Sequence, residues 1–114
     1  MANAKVLVMG LSFKENCTDL RNTKVIDIVN TLSTYHVSVD VYDPWIQPKL
    51  AKEKYDISLL EQPAAQKYDA IIIAVAHDKF RDMELDQIRK FGKVNSVIFD
   101  IKYLFPIEEN LYRL

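Results

Sequence analysis

Residues that could do chemistry crowd into one stretch of the chain. Gly10-Leu-Ser-Phe-Lys-Glu-Asn-Cys-Thr-Asp-Leu-Arg21 brings together an aromatic ring (Phe13), an ammonium (Lys14), a thiol (Cys17), carboxylates (Glu15, Asp19) and a guanidinium (Arg21). Cations and backbone N–H groups beside a helix start suit an anion, and an aromatic ring suits a ligand that carries a ring of its own. The bland alternative is a decorated surface loop whose charges are simply solvated. Cys17 is the tempting nucleophile, because neighbouring cations favour a thiolate. No histidine lies nearby in sequence to serve as its base, so a small packing residue is the better expectation.

Four other positions could take part. Asp43 precedes Pro44, a pairing that first suggests a turn. In a dinucleotide-binding fold an acid at that strand end would hold a ribose. His77 stands at the end of an apolar strand and could cap the following helix or touch a ligand; capping is the simpler role. Trp45 reads as satellite packing rather than a stacking platform. His36 reads as an exposed turn residue. Cys17, His36 and His77 do not have the spacing of a metal site, so no metal and no catalytic residue are assigned.

These residues need elements to position them. Lys5-Val-Leu-Val-Met-Gly10 is a short apolar run ending in glycine, the pattern of a strand covered on both faces. Val25, Ile28, Val29 and Leu32 recur at helical spacing, with Asn22 or Thr23 as cap. Val37-Ser-Val-Asp-Val-Tyr42 alternates and is β-branched, so it predicts a second strand, broken by Asp43-Pro44. A weaker helix covers about Gln47 to Lys54, and Ile57, Leu59 and Leu60 form a short strand or a packed loop. Tyr68 to Val75 is the clearest central strand. Asp86 to Phe91 predicts a helix with Leu85, Ile88 and Phe91 inward and Gly92 at its C-terminal end. Ser96 to Ile101 is the last strand, and the structure of the tail 103–114 stays open. Strand–helix alternation with apolar strands means βαβ units: an α/β, Rossmann-like, three-layer domain with a mostly parallel sheet.

In that fold the connection after the first strand is too long for a bare link. Eleven residues separate Gly10 from Asn22, against about 2–6 in ordinary α/β connections. A long loop at the carboxyl end of a parallel strand sits where open α/β sheets bind ligands. The usual dinucleotide signature is nevertheless missing. The chain has two glycines, Gly10 and Gly92, so no G-x-G-x-x-G can exist to cradle a pyrophosphate.

Composition sets the outer bounds. The 114 residues suit one domain, 1–114, and 49% hydrophobic content is enough for a core. A net charge of −1 without a basic run argues against nucleic acid as partner. One cysteine cannot form an internal disulfide, and the longest apolar run, Ala70 to Ala76, is too short to span a bilayer. With no visible signal peptide, the chain reads as cytoplasmic, without a membrane partner.

Gly10-Leu-Ser-Phe-Lys14 followed by Asn16-Cys-Thr-Asp-Leu-Arg-Asn-Thr23 resembles the opening of the C-terminal domain of the UDP-glucose/GDP-mannose dehydrogenase family. Val39-Asp-Val-Tyr-Asp-Pro44, Ala74-Val-Ala-His77 and Val97-Ile-Phe-Asp-Ile-Lys102 follow in the family's order, so the resemblance covers nearly the whole chain. The wording around Cys17 looks most like bacterial enzymes that act on UDP-N-acetylhexosamines for surface polysaccharides. The resemblance implies a UDP-sugar substrate and NAD as cofactor, bound mainly by an N-terminal domain. It also implies a central helical region that supplies the catalytic cysteine, and a homo-oligomeric parent. Family enzymes oxidise the sugar C6 alcohol to a carboxylate with two hydride transfers. Carried over, Phe13 and Lys14 match positions that contact the nucleotide-sugar, and Arg21 matches one that reaches the NAD phosphates. Lys102 falls near a position where the family often places a substrate-binding arginine, although lysine replaces a planar fork with a point charge. The resemblance implies an inactive chain when the other parts are absent. The alternative is a self-standing flavodoxin-like regulatory or mononucleotide-binding module. A phospho-receiver version of it would need an acidic cluster after Lys5-Val-Leu-Val-Met-Gly10, which is not there.

Overall fold

A computed structural model describes residues 4–12, 24–35, 37–83, 85–102, 104–105 and 110–112. The elements run β1 (Lys5–Met9), α1 (Val25–Thr34), β2 (Ser38–Tyr42), α2 (Pro48–Tyr55), β3 (Tyr68–Ile73), α3 (Asp78–Asp82), α4 (Leu85–Arg89), β4 (Gly92–Asp100) and β5 (Leu111–Tyr112). The strands form one sheet in the order β2-β1-β3-β4-β5, and every neighbouring pair is parallel. The expected α/β class and three-layer arrangement are what the chain adopts.

Strand alternation divides the core between the two faces. Val6 and Val8 of β1 point to one side, where Val25 and Val29 of α1 and Ala51 of α2 cover them. Leu7 and Met9 point to the other, against Phe80 of α3, Ile88 of α4, and Ile71 and Ile73 of β3. Both faces of β1 are therefore apolar, as burial on both sides of a central parallel strand requires. Burying a side chain of this kind stabilises the fold by about 1.5–3 kcal/mol.

Local chemistry explains most of the boundaries. α2 begins at Pro48, whose missing N–H costs nothing at a first helical position. It ends where Asp56 takes a left-handed conformation, φ 57°, as a C-terminal cap often does. Ile57 to Leu60 make a packed loop with a single bridge from Leu59 to Val41. The proposed caps Asn22 and Thr23 lie outside the described residues.

Four expectations about the second half need correction. The helix expected over 86–91 is the short α4, which stops at Arg89. Gly92 opens β4 instead of closing that helix: it pairs with Tyr68, so the chain turns directly into the sheet. β4 thus starts four residues before Ser96, and its register shifts against β3 between Tyr68 and Ala70. The central strand ends at Ile73, two residues before Val75. The inward set of Leu85, Ile88 and Phe91 is observed, and the tail adds β5 beside β4.

Candidate functional site

The strand order reverses direction at β1. The chain moves from β1 outward to β2 on one side, then returns to place β3 on the other side. A parallel sheet opens a crevice at the carboxyl ends of the strands where the order reverses, and ligands bind there. In this chain the reversal lies between β1 and β3, and the segments following Met9 and Ile73 stand side by side there.

Gly10 makes that edge tight. Its φ of +105° suits glycine, and a Cβ there would lie 2.6 Å from the Val75 Cβ and 2.9 Å from the Val75 backbone nitrogen. The closest approach allowed by this glycine is taken by the β3 loop, not by a pyrophosphate.

Beyond Gly10 the backbone is held from a distance. One carboxylate oxygen of Asp43, Oδ2, accepts the N–H groups of Leu11 at 2.7 Å and Ser12 at 2.9 Å. The same oxygen lies 3.0 Å from His77 Nε2. The other oxygen, Oδ1, accepts the Trp45 N–H at 2.8 Å, the two-residue return expected of an Asp-Pro turn. Asp43, Ser12 and His77 are all buried. Burial raises the Asp43 pKa, but the hydrogen bonds from His77, Leu11 and Ser12 outweigh it and hold the carboxyl below its ordinary range.

That ionisation fixes the histidine. An ionised carboxylate only accepts, so the short contact requires a proton on Nε2. Ser12 Oγ lies 3.1 Å from this same nitrogen and therefore accepts there. A nucleophilic Ser-His-Asp relay needs the acid and the serine on opposite ring nitrogens. Both meet one nitrogen here, so the cluster positions backbone and does not activate a nucleophile. The His77 ring packs edge-on against Phe80 at 5.3 Å between centroids and tilts under Trp45 at 6.1 Å.

These contacts revise the roles expected from sequence. His77 does occupy the position before α3, and its carbonyl accepts from Phe80 and Arg81. Its side chain makes no cap, because the ring is turned inward to Asp43. Asp43 forms the expected turn and also joins segments that are remote in sequence. Saturated by donors and 3% exposed, it has no place for a ribose hydroxyl. Trp45 is 40% exposed, so it covers His77 on one side and meets solvent on the other. Phe13, Lys14, Cys17, Arg21 and His36 lie outside the described residues.

Lys102 is described and exposed, in the turn after β4. That turn is shaped by a second buried carboxylate: Asp100 Oδ1 accepts the Leu104 N–H at 3.0 Å and Oδ2 the Phe105 N–H at 2.9 Å. Sequence reasoning missed Asp100 and the joining role of Asp43. A signal existed for both, since each ends an apolar strand where a buried charge needs a reason. Among the described residues, no group of three His, Cys, Asp or Glu side chains could hold a metal ion, and no helix is long and apolar enough to cross a membrane.

Comparison with known proteins agrees with this architecture. The UDP binding domain of the UDP-glucose/GDP-mannose dehydrogenase family matches residues 7–106. A UDP-N-acetyl-D-glucosamine 6-dehydrogenase from Pseudomonas aeruginosa is 50% identical over 111 residues, which is 97% of this chain and 26% of that protein. Its namesake from Salmonella typhi is 42% identical with the same coverage. The chain thus spans about a quarter of the length of the curated relatives it matches. Among solved structures, a UDP-D-ManNAc dehydrogenase from Pyrococcus horikoshii superimposes with a TM-score of 0.77 at 21% identity, over 98% of this chain and 25% of that one. The parallel sheet with its reversal of strand order at β1 and the match across residues 7–106 lead to one assignment: the chain belongs to the UDP-glucose/GDP-mannose dehydrogenase family, as its UDP binding domain.

Proposed function

We propose that this chain, as one domain spanning 1–114, binds the nucleotide part of a UDP-sugar for an NAD-dependent 6-dehydrogenase. The observation that carries the reading is the reversal of strand order between β1 and β3, the position where open α/β sheets take ligands, within the span 7–106 that matches a UDP binding domain. The names of the relatives at 50% and 42% identity support oxidation of a UDP-N-acetylhexosamine at C6; surface polysaccharide synthesis is the use this reading gives the product. In this reading Phe13 and Lys14 contact the nucleotide-sugar, with Lys102 at the same sheet edge. Arg21 reaches toward NAD held by the rest of a longer, homo-oligomeric cytoplasmic enzyme.

Among the described residues, the end of β1 is not built to hold NAD. Gly10 is closed by Val75, and the Asp43 carboxylate is already saturated by N–H donors. Hydride acceptance belongs to the cofactor elsewhere; this chain binds and orients. A flavodoxin-like module shares the strand order β2-β1-β3-β4-β5, so topology alone does not separate the two readings. The family match favours the dehydrogenase.

Calorimetric titration of the 114-residue chain tests the proposal. UDP gives a saturable signal and NAD gives none. Micromolar NAD binding, or no UDP binding, overturns it. Supplying the full-length enzyme with a panel of UDP-sugars and following NADH then identifies the sugar.

A further inference from the structure

We propose that His77 is a positioning residue for nucleotide binding: with Asp43 it holds Ser12, the residue that precedes Phe13 and Lys14 in the chain. The inference rests on the reading of that segment as the UDP site.

Three segments meet at the carboxyl edge of the sheet, one following each of β1, β2 and β3. Asp43 contacts all of them: Leu11 and Ser12 after β1, Trp45 in its own turn after β2, and His77 after β3. His77 adds a direct contact to Ser12. Ser12 is therefore held twice, by its backbone N–H on Asp43 and by its Oγ at the histidine nitrogen. The next residue is Phe13. A backbone position held before the ligand arrives leaves less entropy to lose on binding, which is how preorganisation raises affinity. The donor geometry defines which nitrogen matters. Nε2–H lies at the far end of the ring, and a glutamine amide can reach that position while leucine cannot.

UDP affinity and thermal stability are measured on the full-length protein carrying His77→Leu, His77→Gln or Ser12→Ala. Exchange of the Leu11 and Ser12 amides is followed in the same proteins. His77→Leu lowers UDP affinity about tenfold or more, a difference in binding free energy of about 1.4 kcal/mol per tenfold. It also speeds amide exchange at Leu11 and Ser12. His77→Gln restores affinity to within about threefold, because it keeps a donor where Nε2 was. Ser12→Ala, a smaller change, weakens UDP and leaves the melting temperature close to that of the parent. If His77→Leu does not fold, the Gln and Ala variants decide. A purely structural histidine would lower the melting temperature with UDP affinity unchanged in every folded variant, and that result overturns the proposal. A folded Gln variant that binds no better than the Leu variant also overturns it. If the unmutated protein itself fails to bind UDP, the underlying functional reading is what has failed.

Discussion

Asp43 and Asp100 are buried carboxylates at the carboxyl edge of one sheet, and both accept backbone N–H groups. They differ in what they join. Asp100 binds Leu104 and Phe105, four and five residues ahead, and shapes the turn that follows its own strand. Asp43 reaches residues 32, 31 and 34 positions away, and ties β1 and β3 to the turn after β2. A local carboxylate orders one loop. A remote one sets how three loops stand relative to each other, and that relation is what a binding crevice requires.

Mutating the two aspartates tests this contrast most directly. Asp43→Ala leaves three backbone donors and the His77 N–H without their acceptor, and costs about 3–5 kcal/mol of stability, the range for removing one member of a buried charged network. Asp100→Ala exposes two donors to loss and costs about 1–3 kcal/mol. Denaturant unfolding of both variants gives the comparison, and equal losses would break it.

Gly10→Ala comes next. The added methyl meets Val75 at φ +105°, and strain plus overpacking cost about 2–4 kcal/mol. A fully stable alanine variant would mean that β1 and β3 can separate at no cost, contrary to the tight edge described.

The contrast extends to Lys14 and Lys102. Lys14 follows the segment held by Asp43, and Lys14→Ala weakens UDP binding by about 1–3 kcal/mol in the full-length enzyme, as for a charge-assisted hydrogen bond. Lys102, exposed on the loop held by Asp100, gives about 0–1 kcal/mol when replaced by alanine, because solvent screens it. Calorimetry on both variants sharpens the comparison; a larger effect at Lys102 would reverse it.

The smallest expected effect is on pH dependence. The Asp43 pKa is lowered in the folded chain. Its contribution is thus fully present above the ordinary aspartate value of about 3.9 and is lost as pH falls from there through the depressed folded value. Asp43→Asn flattens this acid limb of the stability profile. An unchanged limb would show that the carboxylate is not the group being titrated.

Much of the fold was legible because its signals are local. Apolar runs with strand spacing marked β1, β2 and β3, and the spacing of Val25, Val29 and Leu32 marked α1. The weaker helix expected over about Gln47 to Lys54 is α2, Pro48–Tyr55. Gly92 misled because a glycine can end a helix or begin a strand after a sharp turn, and α4 is too short for its period to decide. His77 misled in a similar way: its place before α3 was readable, but the direction of its ring was not.

By itself the sequence determined the α/β class, the long segment after β1 and the missing glycine-rich signature, since each depends on neighbouring residues. Tertiary structure alone decided that β3 lies beside β1 and that His77 faces Asp43. Parallel pairing brings together residues more than thirty positions apart. No local pattern encodes which strand ends become neighbours, and the proton on His77 Nε2 follows only once they have met.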